Sequence, residues 1–414
     1  MPKFYTLFFF ISLCTSVSAQ QRNNATPLWP KATLLPEKIN AGQFNYAPLR
    51  YGDKIYFSTA GNGHQASRLS SSFATGKQVQ TLAINPANEN LQASNMSITP
   101  DGKRMFYTLC HDEEAYSQEK CTIWSRKKNY EGQWEAASKL PETINKKQYT
   151  ATQPAIGYDR SLKKEVLFFV SDRPGGKGGK DIWASVLEQD GSFGTPFPLP
   201  FNSPEDEVTP YYYMAGQVLA FSSNGMGGQG GFDVFYIKKD AAAKWGKPFN
   251  PGTAVNSEHD ETYFTFHAKQ QKGYFVSNRC GQQNGSNIRT GIYEIPAMVE
   301  LRLPTYDASG AQSLYGLTAD VTNLENGKKK TFKERPFEPC LKVFLAPGKV
   351  YSIAVSKKGY QTAEFKTSTK SSGLPMTLQQ ETYLILDETL TKAMPGQSKK
   401  NKNEIVEVSN DLPF

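Results

Sequence analysis

Four segments of the chain share one pattern at a spacing of about 50 residues. In each of them an apolar run ends in a small polar residue, a loop follows, and a short β-branched and aromatic run closes the segment. Such a period predicts repeated four-stranded sheets, none of which buries its apolar faces alone. The chain is therefore predicted to be all-β, with a β-propeller. The four segments are 108–124, 171–183, 223–235 and 277–293.

A second repeated phrase predicts that the propeller is a closed ring. The phrase ends each repeat at Asn145, Asn202 and Asn256, and it also occurs at 35–40, before any strand that it could complete. We therefore expect the segment 31–39 to complete the last blade, which removes an open sheet edge. The predicted blades are 41–90, 91–145, 146–202, 203–256, and 257–297 together with 28–40. Five blades result, or six if 67–90 contains further strands.

The composition changes after residue 297. Six short strand candidates, separated by turns such as Asn326-Gly327 and Pro347-Gly348, predict a small antiparallel β-sandwich over residues 298–388. Residues 389–414 are polar and rich in lysine, and we expect them to be disordered. The propeller is assigned to residues 28–297.

The first 19 residues match a secretory signal peptide. Lys3 supplies the positive charge, residues 7–13 form an apolar core too short to span a bilayer, and residues 17–19 are small. We expect export to the periplasm or attachment to the outer membrane, which would be peripheral at most. Lipidation of Cys14 is disfavoured because Leu13 stands where a small residue is required.

The cysteines fit an oxidising compartment. Cys110 ends one strand pattern and Cys121 begins the next, so a disulfide between them would clamp the intervening loop. A zinc site there would need more ligands than His111 supplies. Cys280 and Cys340 would either link the two domains or remain free thiols.

The repeat resembles a known family at these residues. The phrases at 171–183 and 223–235 resemble the WD-repeat-like repeat of TolB-related propellers, and residues 206–210 and 260–263 match the way those repeats open. The segment 345–360 is similar to a carboxypeptidase-regulatory-like domain. Together they resemble a periplasmic component of the type IX secretion system, without its helical repeats and its OmpA-like peptidoglycan-binding domain. The resemblance implies a role in the cell envelope.

The polar residues of the repeats have a structural interpretation. Glycine reaches backbone angles that a tight blade loop needs, and the short carboxylates of Asp181 and Asp233 are expected to bond loop amides. A Ca²⁺ site is disfavoured because no dense run of oxygen ligands occurs. The same interpretation applies to the other repeated polar residues, which are Ser171, Asp172, Arg173, Ser223, Asn224, Ser277 and Asn278.

Two acidic pairs raise the question of catalysis. Asp206/Glu207 and Asp260/Glu261 occupy equivalent places in two repeats, and paired carboxylates perform glycoside hydrolysis in some five-bladed propellers. Their repetition favours a shared structural task, since catalysis needs distinct residues in distinct blades. The chain lacks a Gly-x-Ser-x-Gly elbow. We therefore predict no enzyme activity, no cofactor and no metal.

The sequence thus predicts an exported, non-catalytic scaffold that binds envelope proteins and is accessory to type IX secretion or outer-membrane assembly. The alternative is a propeller that binds a glycan or a peptide, and a glycoside hydrolase is less favoured. Nucleic acid is excluded as a partner because the formal charge of +8 forms no basic stripe interleaved with aromatics.

Overall fold

The computed structural model describes residues 31–387, apart from 62–66, 83, 85–90, 112–120, 215–216, 241, 281–288, 337 and 370–375. The expected signal peptide, Cys14 and the lysine-rich tail lie outside the described residues. Within the described part of the chain, no helix is long and apolar enough to cross a membrane.

The N-terminal part of the described chain consists of β-strands. The innermost strand of each repeat has seven to nine residues, whereas the outermost strand has two residues in four of the five sheets. The strands are β1 Thr33–Leu34, β2 Phe44–Tyr51, β3 Lys54–Ala60, β4 Arg68–Phe73, β5 Gln80–Thr81, β6 Leu91–Ile98, β7 Arg104–His111, β8 Cys121–Lys127, β9 Ser138–Lys139, β10 Ala151–Asp159, β11 Lys164–Ser171, β12 Asp181–Leu187, β13 Phe197–Pro198, β14 Glu207–Tyr213, β15 Val218–Ser223, β16 Asp233–Lys238, β17 Glu261–His267, β18 Lys272–Ser277 and β19 Gly291–Pro296.

These strands form antiparallel sheets that are arranged as a β-propeller. Sheet 1 contains β2 to β5, sheet 2 contains β6 to β9, sheet 3 contains β10 to β13, sheet 4 contains β14 to β16, and sheet 5 contains β17 to β19 with β1. The innermost strands β2, β6, β10, β14 and β17 each pack against the next, and β17 packs against β2. The sheets therefore surround a central axis.

Apolar side chains fill the space between successive sheets. Val170 and Phe168 of sheet 3, for example, share one cluster with Phe221 and Val208 of sheet 4. Equivalent clusters lie between sheets 1 and 2, 2 and 3, 4 and 5, and 5 and 1. Each sheet thus buries both of its faces against neighbours, which none of them could do alone.

The segment before residue 41 joins the two ends of the array. Thr33 and Leu34 pair with Glu294 and Tyr293 of β19, although about 260 residues separate them in sequence. The phrase at 35–40 then follows as it does in the other repeats. The outermost strand of sheet 5 therefore comes from the start of the described chain and covers the edge of β19.

Some strand bounds differ from the sequence prediction. In the fourth repeat the apolar run predicts a first strand only at 211–214, whereas β14 begins at Glu207 and passes Pro210 in a bulge. The pattern of that repeat also predicts an outer strand over 245–255, where the structure has only isolated bridges at Trp245 and Phe249. The described residues of 67–90 contain β4 and β5, which belong to sheet 1.

A second set of strands follows after two connecting residues. Three sheets form, with the orders β24-β20-β27, β21-β28 and β23-β22-β25-β26. The strands are β20 Val299–Leu303, β21 Thr305–Asp307, β22 Thr318–Asn323, β23 Lys329–Lys333, β24 Leu341–Leu345, β25 Val350–Ser356, β26 Ala363–Ser368, β27 Met376–Gln379 and β28 Thr382–Leu384.

One apolar core joins these three sheets. It contains Leu301 of β20, Val321 of β22, Ile353 of β25 and Leu384 of β28, all of them buried. The sequence predicted purely antiparallel pairing, which is wrong for two pairs, because β20 with β27 and β21 with β28 run parallel. The sequence also missed β21, β23 and β27.

Candidate functional site

A buried asparagine ends the repeated phrase in four places, and its side chain makes the same kind of hydrogen bonds in each. The side chain of Asn202 accepts a hydrogen bond from the Ile182 N–H and donates to the Ile182 carbonyl, and Asn145 and Asn256 do so with Ile123 and Val234. These amides hold the phrase to the third strand of its sheet. A residue that recurs with unchanged contacts has a structural role.

Asn40 makes these hydrogen bonds between the first and the last segment of the propeller. Its Oδ1 accepts from the Ile292 N–H at 2.7 Å, and its Nδ2 donates to the carbonyls of Leu35 (2.9 Å) and Ile292 (3.3 Å). Asn40 is 2% exposed. The contact joins residues that are 252 positions apart.

The carboxylates of the glycine loops bond loop amides. Asp181 Oδ2 accepts from the N–H groups of Lys177 (2.9 Å) and Gly178 (3.1 Å), and Asp233 Oδ2 accepts equivalently from Gln229 and Gly230. A Cβ on Gly176 would lie 1.9 Å from Asp181 Oδ2, so the loop requires glycine there. Burial raises the pKa of Asp233.

The acidic pairs fasten each glycine loop to the next sheet. Asp206 Oδ1 accepts from the Lys180 N–H at 2.8 Å, and Glu207, which is fully buried, accepts from the Ser203 N–H and from the hydroxyls of Ser203 and Ser223. Burial raises the pKa of Glu207, although these hydrogen bonds act in the opposite direction.

The second pair repeats this arrangement. Asp260 accepts from the Phe232 N–H at 2.9 Å, and Glu261 accepts from Ser257, Ser277 and the Arg279 guanidinium. The two acidic pairs therefore bind loop amides and hydroxyls and do not converge in one central pocket, as a pair of catalytic carboxylates would. Each aspartate binds the glycine loop of the preceding repeat.

The remaining repeat residues also have local partners. Arg173 lies over the Phe169 ring and donates to Ser171 and to the carbonyls of Thr143 and Ile144. Burial lowers its pKa to about 10. Asp172 accepts from the Thr150 N–H, as Asn224 and Asn278 accept from the N–H groups of the equivalent residues Asp206 and Asp260.

The cysteines divide into a pair and two single residues. Cys110 and Cys121 form a disulfide with an S–S distance of 2.04 Å, at the ends of β7 and β8. Cys280, in the propeller, and Cys340, in the C-terminal unit, are free, so they do not link the two units. Among the described residues, no group of three or more His, Cys, Asp or Glu side chains is placed to hold a metal ion.

The matching aromatics of the repeats pack in the interior. Trp183, Phe235 and Tyr293 are buried, and Trp124 is half-buried. The run of three tyrosines at 211–213 is also internal. Tyr212 and Tyr213 are buried, and the Tyr211 hydroxyl donates to the Phe266 carbonyl at 2.6 Å. These aromatics therefore do not form an exposed ligand platform.

A different set of residues meets on the central axis. In every innermost strand the pairing register shifts at one point, which is a β-bulge. The residue at each bulge has a positive φ, between 51° and 54°, which residues other than glycine rarely adopt. We call this set the axial ring. Its members are Ala47, Asn95, Gln153, Thr209 and Tyr263.

Hydrogen bonds connect the axial ring across the propeller. Gln153 Oε1 accepts from the Thr209 N–H at 2.7 Å, and Gln153 Nε2 donates to the Tyr263 hydroxyl at 3.2 Å. The Tyr263 N–H donates to Thr209 Oγ1 at 3.1 Å. Gln153 and Tyr263 belong to sheets 3 and 5, which are not neighbours, so their side chains must meet at the axis.

The axial ring is electrically neutral and partly aromatic. Tyr46, next to Ala47, packs on Tyr263 with ring centroids 5.7 Å apart, and its hydroxyl bonds Ser67. Burial raises the pKa of Tyr46 and of Tyr263, so both hydroxyls keep their protons at neutral pH. The site offers neutral donors and acceptors beside aromatic rings.

The sequence prediction missed the axial ring, although one signal was present. Pro48, Pro154 and Pro210 directly follow three of the ring residues, inside runs that otherwise read as strands. Proline within a strand marks a bulge or an edge. The five ring residues differ from blade to blade, so no motif identifies them.

Comparisons with known proteins give structural likenesses alone. No protein-family model matches the sequence, and no curated protein matches it. Solved structures similar to it include the α-L-arabinofuranosidase from Lactobacillus brevis (10% identity, 63% of this chain, 92% of that chain, TM-score 0.40), the exo-β-1,3-galactanase 1,3Gal43A from Clostridium thermocellum (13%, 78%, 77%, 0.41) and TolB from Acinetobacter baumannii (13%, 77%, 63%, 0.34).

One sequence prediction is corrected by this finding. The sequence analysis predicts that the chain is not an enzyme, but glycosidases are among the solved structures that it resembles, so that prediction is withdrawn. Identities of 10–13% and TM-scores of 0.34–0.41 assign no activity or substrate to this chain.

Proposed function

We propose that this chain is an exported β-propeller protein that binds a neutral glycan at the axial ring. One observation carries the proposal: the positions that hold the blades together repeat the same residues, whereas the axial position differs in every blade. Asn40, Asn145, Asn202 and Asn256 make the same contacts, but the ring presents Ala, Asn, Gln, Thr and Tyr. Distinct groups converging on one point are what ligand recognition requires.

We also propose the finer architecture that the sequence predicted. The five sheets would be the five blades of one propeller over residues 28–297, and the C-terminal strands would form a β-sandwich over residues 298–388. Residues 1–19 would be a signal peptide and residues 389–414 a disordered tail. Export to the periplasm or the outer membrane remains a prediction.

The ring has hydrogen-bonding capacity for a ligand. The amide of Gln153 carries two N–H donors and two acceptor lone pairs, and its contacts with Thr209 and Tyr263 use one of each. The Tyr263 hydroxyl accepts from Gln153 and retains its own hydrogen as a donor. Sugar hydroxyls both donate and accept, and the apolar face of a sugar ring fits an aromatic side chain such as Tyr46. The absence of a charge from all five ring residues favours a neutral sugar.

The test is the affinity of the full chain for a panel of neutral oligosaccharides, namely xylotriose, arabinotriose, cellotriose and β-1,3-galactobiose, measured by isothermal titration calorimetry. We expect at least one to bind, and we expect Gln153→Ala to weaken its binding about tenfold, since about 1.4 kcal/mol corresponds to a factor of ten. No binding by the wild type, or equal binding by Gln153→Ala, would overturn the proposal.

A matched control separates binding from folding. Gln217 also has a positive φ of 51° and makes three hydrogen bonds, to Arg160, Tyr158 and Met214, but it lies in the turn between β14 and β15, away from the axis. Gln217→Ala should therefore lower the free energy of unfolding as Gln153→Ala does and leave the affinity within about twofold of the wild type.

A second candidate function is the binding of envelope proteins on the outer rim. Phe197 and Phe249 occupy equivalent outer positions of sheets 3 and 4, where they pair with Ala184 and Tyr236, and they are 42% and 41% exposed. Exposed aromatics on adjacent blades suit a protein partner. Site-specific photo-crosslinkers at these two positions in intact cells should capture an envelope protein, whereas a crosslinker at the exposed Tyr130 should not.

A further inference from the structure

Asn95, the member of the axial ring in sheet 2, differs from the other ring residues in one respect. Its N–H donates to Ser58 Oγ at 3.2 Å and its Nδ2 donates to Ser94 Oγ at 2.9 Å. Its Oδ1 is buried, and within the described part of the chain it has no hydrogen-bond partner. The whole residue is only 8% exposed.

The backbone conformation alone does not explain why residue 95 is an asparagine. Asparagine tolerates a positive φ better than most residues, and Asn95 has a φ of 54°. Glycine would satisfy the same backbone without burying an unpartnered acceptor, which costs free energy. By contrast, the side-chain oxygens of Gln153, Thr209 and Tyr263 all have partners inside the ring.

Asn95 lies beside a network of hydroxyl groups. Ser94, the partner of the Asn95 amide, pairs in register with Thr108, and Tyr46 bonds Ser67 nearby. Ser94 also bonds the Tyr46 hydroxyl. The side chains that hydrogen-bond with Asn95, namely Ser58 and Ser94, therefore carry neutral hydroxyls.

We propose that Asn95 Oδ1 accepts a hydrogen bond from a hydroxyl of the glycan bound at the axial ring, and that this contact selects neutral sugars over uronic acids. The inference rests on the proposed glycan site. A sugar carboxylate at this point would place its negative oxygens against a carbonyl oxygen that needs a donor. A sugar hydroxyl would supply that donor and complete the ring.

The experiment compares Asn95→Gly with Gln271→Gly in the full chain. Gln271 also has a positive φ, of 52°, and its side-chain oxygen is also buried without a partner among the described residues, but it lies in the turn between β17 and β18 and not in the axial ring. Both substitutions therefore relieve a positive φ and remove an amide, but only the first removes it from the proposed site. The probe is the panel oligosaccharide that the wild type binds most tightly. We expect Asn95→Gly to weaken its binding about tenfold and Gln271→Gly to leave the affinity within about twofold. We expect neither variant to unfold at a lower urea concentration than the wild type.

The outcomes distinguish the two proposals. If the wild type binds no member of the panel, the glycan site itself is refuted and this inference with it. If the wild type binds and Asn95→Gly binds equally well, the site stands and the role of Asn95 is refuted. Digalacturonate should bind the wild type at least about tenfold more weakly than the neutral probe, and equal binding of the two would also refute the selection that we propose.

Discussion

Replacement of Asn40 by alanine tests whether the start of the described chain closes the ring. The side chain of Asn40 makes three buried hydrogen bonds, two of them to Ile292 of β19, the last strand of the propeller in sequence. Their loss leaves the N–H of Ile292 and two carbonyls without this partner in a buried environment. At about 1–3 kcal/mol for a buried group left unsatisfied, we expect Asn40→Ala to lower the free energy of unfolding by about 2–4 kcal/mol.

The matched control is Asn202→Ala. Asn202 makes the same contacts with Ile182, which is only 20 residues away, so this variant weakens one sheet without affecting the seam between sheets 5 and 1. Urea unfolding followed by tryptophan fluorescence is the assay. All tryptophans of the described chain lie in the propeller, so the signal excludes the C-terminal unit. A change below about 0.5 kcal/mol in Asn40→Ala, together with a loss of about 2 kcal/mol or more in Asn202→Ala, would refute the closure argument.

Three further predictions concern the supporting framework. Asp206→Asn should lower the free energy of unfolding by about 1–2 kcal/mol, because a neutral amide replaces the carboxylate that accepts from the Lys180 N–H. The affinity for oligosaccharides should stay unchanged, and weaker binding would instead place Asp206 in the ligand site. Burial alone would raise the pKa of Asp159, but hydrogen bonds from Lys239 and Ser161 lower it below 3.8. The stability that this carboxylate contributes is therefore present above pH 3.8 and is lost as the pH falls through the lowered pKa. Asp159→Asn should remove that part of the acid-induced loss in urea titrations, and an unchanged acid profile would contradict the ion pair. Reduction of the Cys110–Cys121 disulfide, which spans 11 residues, should cost about 2–3 kcal/mol, and a Cys110→Ser/Cys121→Ser variant should show the same loss and no further response to reductant.

The repeats predicted the propeller because each repeat needs the same local contacts. In each glycine loop the backbone N–H groups donate to an aspartate, so Asp181 and Asp233 recur together with their glycines and can be recognised in a single sequence. The copy of the repeated phrase at 35–40, which ends at Asn40, likewise predicted that the preceding segment, now β1, completes the last sheet. Such features can be predicted from sequence because the same residues make the same contacts in every repeat.

The features that the sequence did not show depend on distant contacts. The parallel pairing of β20 with β27 joins segments about 75 residues apart, and nothing local in residues 376–379 indicates the direction of the partner. Strand β23 carries three lysines, which suit an exposed edge but weaken the strand pattern. The axial ring was missed because its five residues have a common backbone conformation and no common chemistry.

The central claim is that ligand recognition takes place where the five bulges meet. A crystal structure of the full chain with the panel oligosaccharide that binds most tightly is the most direct test. The account predicts that the sugar lies on the axis, within hydrogen-bonding distance of Gln153 and Asn95. A sugar located on the outer rim or on the C-terminal unit, with the bonds among Gln153, Thr209 and Tyr263 unchanged, would contradict it.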